Sequence, residues 1–221
     1  MKILLVADEE SKYIWDHYQP GMLSDIDLIL SCGDLKAEYL TFLVTMSHAP
    51  VYYVHGNHDG GYATRPPEGC ECIDDKLVCV NGLRILGLGG SIRYNQGPHQ
   101  YTEREMARRI AQLRFQIFRA GGVDIVLTHS PARGLGDGED RAHRGFECFL
   151  RLLDKQKPLY LCHGHVHRNY ADLPFPARMD DVQADLLEER ASEALQSCGE
   201  WFESDRLASM DEVQKGCLAE N

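Results

Sequence analysis

Short apolar runs that alternate with a helical pattern dominate the first part of the chain. The runs at residues 2–7, 26–32 and 51–55 are mostly apolar, and each ends in polar or glycine positions. Residues 36–47 have the spacing of a helix and lie between two of these runs. Buried strands that alternate with helices predict an α/β sheet whose binding site lies beyond the carboxyl ends of the strands.

The middle of the chain predicts a hairpin followed by a long helix. Two short β patterns flank Asn81-Gly82, which is typical of a two-residue hairpin turn. Residues 103–120 alternate charged and apolar groups at helical spacing, with Thr102 as the predicted N-cap and Gly121-Gly122 as the stop.

Two further strands are predicted, and each leads into histidines. The segment "VDIVLTHSP" predicts a strand ending at His129, and "PLYLCHGHVH" predicts a strand that runs into a histidine cluster. Between them, residues 130–144 form a loop rich in glycine and charge, and residues 145–156 have a helical pattern.

The pattern changes again after Pro174. Apolar residues recur among acids at helical spacing, which predicts one amphipathic helix over about 180–204. The segment that precedes it shows no β run, so either a helix covers that edge of the sheet or the edge is exposed. We therefore divide the chain into a domain of residues 1–175 and an acidic helical extension of residues 176–221. The extension or the exposed edge would support a homo-oligomer.

The charge distribution and the start of the chain narrow the class of protein. The formal net charge is -11, and residues 176–221 contribute -8 with twelve acids and four bases, so a nucleic-acid partner is not expected. The apolar run "ILLVA" is too short for a signal peptide, and no run approaches the ~20 residues of a membrane helix. We expect a cytoplasmic protein with no membrane partner and with reduced cysteines.

Cys70-Glu71-Cys72 holds the two cysteines that lie nearest to each other in the sequence. Such a pair could bind a soft metal ion, but no second pair completes a zinc site. Two incidental small residues are therefore the favoured interpretation.

Five pieces that can bind metal stand at the ends of predicted strands or near them. They are Asp8-x-Glu10, Gly33-Asp34, Gly56-Asn57-His58-Asp59, His129, and Gly164-His165-Val166-His167. Each piece alone has an ordinary interpretation, as a helix cap, a turn or an exposed histidine pair. Their joint occurrence in one chain favours a metal centre.

The order and spacing of these pieces resemble the calcineurin-like metallophosphoesterase superfamily over roughly residues 1–170. "GNHD" together with "GHVH" is the specific part, and "GLGGS" at 87–91 is similar to a segment of small bacterial and archaeal members. The resemblance implies a two-sheet α/β sandwich flanked by helices, here with an atypical acidic helical C-terminus. It also implies two divalent metal ions between the sheets and a small phosphomonoester or phosphodiester as substrate.

The resemblance further implies the role of each matched residue. One ion would take Asp8, position 10, Asp34 and His167, and the other would take Asp34, Asn57, His129 and His165. A water held between the ions would act as the nucleophile. His58 would contact the phosphoryl group or the leaving oxygen, and Asp59 would orient His58. Weaker candidates for binding substrate are Asn57 itself, Arg93 and His143; for Arg93 a structural salt bridge is the alternative, and for His143 a plain surface loop.

Glu10 departs from the family, which has histidine at this position. Asp8 and Glu10 have the i, i+2 spacing that places both side chains on one side of a strand, so we predict that Glu10 is a metal ligand. Three carboxylates around one ion favour Mn²⁺ or Fe²⁺ over Zn²⁺. The alternative is a non-catalytic scaffold that keeps the fold and binds other proteins. Glu10 and the unusual C-terminus favour the scaffold, whereas the retained histidines favour an enzyme.

Overall fold

Two β-sheets face each other, and helices cover the outer face of each sheet. The computed structural model describes residues 1–166 and the backbone of residues 200–203. In chain order the elements are β1 (Lys2–Val6), α1 (Lys12–Trp15), β2 (Leu28–Ser31), α2 (Ala37–Ser47), β3 (Val51–Tyr53), a 3₁₀ helix (Asp59–Ala63), β4 (Glu71–Cys72), β5 (Lys76–Val80), β6 (Leu83–Leu88), β7 (Ser91–Ile92), β8 (Gln100–Tyr101), α3 (Glu103–Ala120), β9 (Ile125–Thr128), α4 (Glu147–Gln156), β10 (Tyr160–Cys162) and β11 (Glu200–Glu203).

The strand order brings parallel strands to the centre of both sheets. The first sheet has the order β11-β1-β2-β3-β4, in which only β11 runs antiparallel to its neighbour. The second has the order β10-β9-β6-β5, in which only the hairpin strand β5 is antiparallel. The predicted α/β class is confirmed, and the carboxyl ends of the parallel strands can share one site.

Three apolar layers hold the sandwich together. Ile3 and Leu5 of β1 pack between the sheets against Ile125 and other residues of the second sheet. Leu4 and its alternate neighbours point the other way, into the layer under α2. A third layer joins the outer face of the second sheet to α3 and α4. Strands that are buried on both faces must be apolar at nearly every position, which explains the short continuous runs in the sequence.

Local signals in the middle of the chain are confirmed. The side chain of Thr102 accepts a hydrogen bond from the N–H of Glu105, and the Glu105 carboxylate binds back to Thr102, which completes a capping box at the start of α3. Gly121 ends the helix with a left-handed φ of 77°. Asn81 and Gly82 both have positive φ and join β5 to β6, as a tight hairpin requires.

The predicted C-terminal helix is wrong at its end. Residues Glu200–Glu203 form β11, which pairs antiparallel with β1 from Lys2 to Leu5. Without this strand β1 would be an open edge, and pairing an edge stabilises extended backbone regardless of helical spacing in the sequence. The rest of the predicted helix and the boundary at residue 175 lie outside the described residues. Within the described part of the chain, no helix is long and apolar enough to cross a membrane.

Candidate metal centre

Five side chains meet where the parallel strands of both sheets end. Asp8, Asp34 and Asn57 follow β1, β2 and β3 of the first sheet, and His129 and His165 follow β9 and β10 of the second. Asp8, Asp34 and His165 have left-handed backbones, with φ of 60°, 58° and 72°. These sharp turns at the strand ends bring the two sheets' polar residues together above the shared core.

Three donor atoms converge on the Nε2 atom of His129. Asn57 Oδ1 lies 3.0 Å from it, His165 Nδ1 3.1 Å and Asp34 Oδ2 3.3 Å. Donors bound about 2.1 Å from one tetrahedral ion lie about 3.4 Å from each other. We call Asp34, Asn57, His129 and His165 the histidine site, because their spacing is close to that of ligands around a single cation.

Backbone carbonyls fix which ring nitrogens face the centre. The Nδ1 atom of His129 lies 2.8 Å from the carbonyl oxygen of Cys32, and Nε2 of His165 lies 2.7 Å from that of Ala142. A carbonyl only accepts, so both of these nitrogens carry the hydrogen and donate it. The other nitrogen of each ring then presents a lone pair to the centre. These two nitrogen atoms, Nε2 of His129 and Nδ1 of His165, lie 3.1 Å apart beside the Asp34 carboxylate. Because their lone pairs and the carboxylate repel one another, a proton or a metal ion must lie between them.

The pKa values indicate where that proton lies when no metal ion is bound. Burial lowers the pKa of His129, but the hydrogen bond and the charge of Asp34 raise it to about 9. Burial would raise the pKa of Asp34, yet the same contact holds it below its ordinary value. Burial and the neighbouring His129 lower the pKa of His165 to about 3. A divalent cation would therefore displace a proton from His129.

Further contacts hold the site's side chains and backbone. The Asn57 amide donates to the hydroxyl of Tyr94 at 3.1 Å, which turns its Oδ1 atom toward His129. The Asp59 carboxylate accepts from the backbone N–H groups of Gly56 at 2.7 Å and Asp34 at 2.9 Å. Asp59 therefore ties the loop after β3 to the loop after β2. A side chain on Gly56 would overlap the Asp34 carboxylate, so this close approach requires glycine.

His58 lies at the mouth of the site. Its backbone N–H donates to Asp34 Oδ1 at 2.7 Å, and its ring Nε2 lies 4.0 Å from Asp34 Oδ2. The His58 side chain is 75% exposed, so it is accessible to a ligand. The two hydrogen bonds of the Asp59 carboxylate come from backbone N–H groups and not from the His58 ring, so the orienting role of Asp59 stays a prediction.

The other predicted ligand set is built differently, and we call it the carboxylate site (Asp8, Glu10, Asp34 and His167). Both oxygens of Asp8 accept from the backbone N–H of His165, at 3.0 and 2.8 Å. Glu10 accepts from the N–H of Lys36 at 3.0 Å and lies 3.2 Å from its ammonium group. The spacing argument for Glu10 is wrong, because β1 ends at Val6 and the left-handed Asp8 breaks the alternation of the strand. His167 lies outside the described residues.

A cavity of about 420 Å³ opens beside Glu10 and beside Asp34, the residue that the two predicted ligand sets share. Its lining includes Glu10, Asp34 and His58, together with the cations Lys36 and Arg65. Nothing in the sequence indicated Lys36 or Arg65, because a single cation in a loop has no pattern that distinguishes it from ordinary surface charge.

The two weaker candidates differ in where they lie. The ring of His143 is centred 5.3 Å from that of His165, so the long loop does bring it beside the histidine site, where Asp140 holds its Nδ1 at 2.7 Å. Arg93 instead pairs with Glu105 at 2.9 Å and contacts the carbonyl of Gln100. The salt-bridge interpretation of Arg93 thus agrees with its contacts.

Three comparisons relate the chain to known proteins. A crystal structure with 14% sequence identity has a TM-score of 0.55 and covers 76% of this chain and 85% of its own. The crystal structure of TT1561 of Thermus thermophilus has 16% identity and a TM-score of 0.49, with coverage of 74% and 80%. Curated protein sequences give no significant match. The model of the calcineurin-like phosphoesterase family matches residues 7–169. The chain belongs to this family, whose members are generally metal-dependent phosphoesterases.

Proposed function

We propose that the chain hydrolyses a small phosphomonoester or phosphodiester at a centre for two divalent cations. One observation carries the proposal: three donor atoms from both sheets converge on His129 Nε2, and the two histidines direct their lone pairs inward. Family membership supports the same chemistry.

The histidine site would hold one cation through Asp34, Asn57, His129 and His165. Asp34 would be shared with the second cation, since its two oxygens have different partners: Oδ2 lies beside His129, and Oδ1 accepts from the backbone N–H of His58. Asp8 and His167 would complete the second set together with Glu10. Glu10 must first exchange its contacts with Lys36 for a metal ion. The oxygen-rich second set favours Mn²⁺ or Fe²⁺.

Bound divalent cations would supply Lewis acidity toward the phosphate oxygens and a water nucleophile with a lowered pKa. The protein's own residues supply the rest. The His58 ring, which is 75% exposed at the mouth of the site, would donate a proton to the leaving oxygen or bind the phosphoryl group. Lys36 and Arg65 line the cavity and would contact the oxygens of an anionic substrate, once bound cations offset the acids that also line it, Glu10, Asp34, Glu38 and Asp59. The buried Asp59 holds Asp34 and the loop of His58 in register.

The test is hydrolysis of an aryl phosphomonoester and an aryl phosphodiester by the full chain loaded with Mn²⁺. We expect about two bound ions per chain and a rate that falls to background in His129→Ala. Arg93→Ala is the control that should keep the rate, because Arg93 pairs with Glu105 away from the donors. A fully loaded protein that hydrolyses neither substrate would contradict the proposal.

The second candidate is a non-catalytic scaffold. The contact between Glu10 and Lys36 favours it, because a carboxylate paired with an ammonium group is a plain structural element. In that case the histidine site would bind one ion for stability alone. The same experiment separates the two, since a scaffold would bind metal and hydrolyse nothing.

A further inference from the structure

A second cluster of metal-binding side chains lies outside the candidate centre. His55 follows β3, Cys72 ends β4, and Asp74 follows it in the loop to β5. One ligand atom from each of the three lies within 4.8 Å of the others. The pair Cys70 and Cys72 does not meet, because the thiol of Cys70 is directed to the carbonyl oxygen of Leu40 at 3.5 Å.

The distances within the cluster are close to those of a metal site. The sulfur of Cys72 lies 3.6 Å from His55 Nδ1, and a thiolate and an imidazole on one tetrahedral Zn²⁺ ion lie about 3.5 Å apart. Asp74 Oδ2 lies 2.7 Å from the same nitrogen, at hydrogen-bonding distance. An incoming ion would widen this last contact to about 3.3 Å, a change that one carboxylate rotation provides.

The surrounding structure holds the donors in place. Asp74 Oδ1 accepts from the N–H of Gly89 at 2.8 Å, which leaves Oδ2 directed at His55. The His55 ring stacks on His99 at a centroid distance of 4.3 Å and meets the edge of Tyr53 at 5.4 Å. The His55 carbonyl accepts from Gly90 at 2.7 Å. Donors held in this way lose little freedom when they bind an ion.

We propose that His55, Cys72 and Asp74 form a separate site for a single Zn²⁺ ion. A thiolate, an imidazole and a carboxylate are a ligand set that zinc prefers, and the negative thiolate and carboxylate neutralise its charge. His55 and Asp74 are partly exposed, at 18% and 17% of their side-chain surface, so a water can occupy the fourth position. The ion would link the segment after β3 to the loop after β4. It would therefore stabilise the backbone at His55, which lies two residues before Asn57.

The ordinary alternative is an ion pair between His55 and Asp74 with a bystander thiol. Cobalt(II) distinguishes the two, because a thiolate bound to Co²⁺ absorbs in the near ultraviolet by charge transfer and the histidine site contains no cysteine. We expect this band when the purified full chain is titrated with Co²⁺, and Zn²⁺ should abolish it. The result does not depend on phosphoesterase activity, so failure here and failure of the proposed function are separate.

Variants complete the test. Cys72→Ser should remove the band and one bound ion per chain, whereas Cys70→Ser and the exposed Cys79→Ser should retain both. Asp74→Asn keeps the thiol and should weaken Co²⁺ binding at this site about tenfold or more. It also decides the matter if Cys72→Ser fails to fold. The proposal is overturned if the wild-type protein gives no band, if the band survives in Cys72→Ser, or if Asp74→Asn binds Co²⁺ as the wild type does.

Discussion

The histidine site and the carboxylate site use similar residues but are constructed differently. In the histidine site, His129 and His165 each bind a backbone carbonyl through the ring nitrogen that faces away from the centre. In the carboxylate site, Asp8 accepts from a backbone N–H and Glu10 pairs with a lysine. The two histidines are oriented toward a cation by backbone carbonyls, whereas Asp8 and Glu10 are already bound to other groups of the protein.

This difference shows that hydrogen bonds to the backbone preorganise a metal ligand. A ligand whose remaining polar atom is held by the backbone has one orientation, so it binds without rearrangement. Glu10 is longer and its carboxylate is already bound by Lys36, so ligation must compete with an existing ion pair. We expect the histidine site to bind its ion more tightly.

Removing the His129 ring should have the largest effect on metal binding and on hydrolysis. His129→Ala deletes the nitrogen on which three other donors converge, so its ion should be lost and hydrolysis should fall to the uncatalysed background. Metal analysis and kcat measure this, with circular dichroism to check the fold. If the His129→Ala variant kept both ions and the wild-type rate, the donor atoms that meet at His129 would not form a functional metal site.

The exposed histidine at the mouth of the site should separate catalysis from metal binding. His58→Ala should leave the metal content unchanged, because no donor of the histidine site depends on its ring. We expect kcat to fall ~10²–10⁴-fold for a substrate with a poor leaving group, and less for a good one. An equal loss with both leaving groups would exclude proton donation by His58.

Glu10 offers the direct test of the carboxylate site. Glu10→Ala should weaken that ion and lower the rate about 10–100-fold while the histidine site stays loaded. Glu10→His should restore two ions and shift the preference toward Zn²⁺. The exposed Glu9 beside it provides the matched control, Glu9→Ala. If Glu10→Ala keeps wild-type metal content and rate, Glu10 only holds Lys36 at the start of α2.

The smallest expected effect is the number of protons released when the histidine site binds its ion. The pKa of His129 is raised to about 9, so at pH 7 the metal-free ring is charged and must lose its proton before it binds an ion. Loading of the histidine site should release about one proton at pH 7 and fewer above pH 9. Calorimetry in buffers of different ionisation enthalpy measures this number. Release that does not change across this range would assign the proton to another group.

The sequence predicted the parts of this molecule that depend on local chemistry. Thr102 and Gly121 bound α3 where capping rules place them, because a helix end is satisfied by neighbours in the chain. The residues of the histidine site were also found, since each follows a strand and their order matches a known family. The contacts of the Glu10 carboxylate were not predictable, because they depend on the left-handed backbone of Asp8 and on Lys36, which lies 26 residues away in the sequence.

The helix predicted at residues 200–203 was wrong for a related reason. The helical spacing of residues 200–203 is a local property, whereas their pairing with β1 depends on an edge formed by the first residues of the chain. The cluster of His55, Cys72 and Asp74 likewise joins the ends of two strands that pair in the folded sheet. Spacing in the sequence could not reveal it, because it does not follow a recurrent motif.

The left-handed backbones of Asp8, Asp34 and His165 also bear on how this protein can evolve. Residues other than glycine are held in this conformation at a cost on the order of 1 kcal/mol each. Glycine at any of the three positions would relieve that strain but would delete a donor. Selection for a more stable fold and selection for metal binding therefore act in opposite directions at these positions. A lineage freed from the need to bind metal would be expected to lose these side chains early.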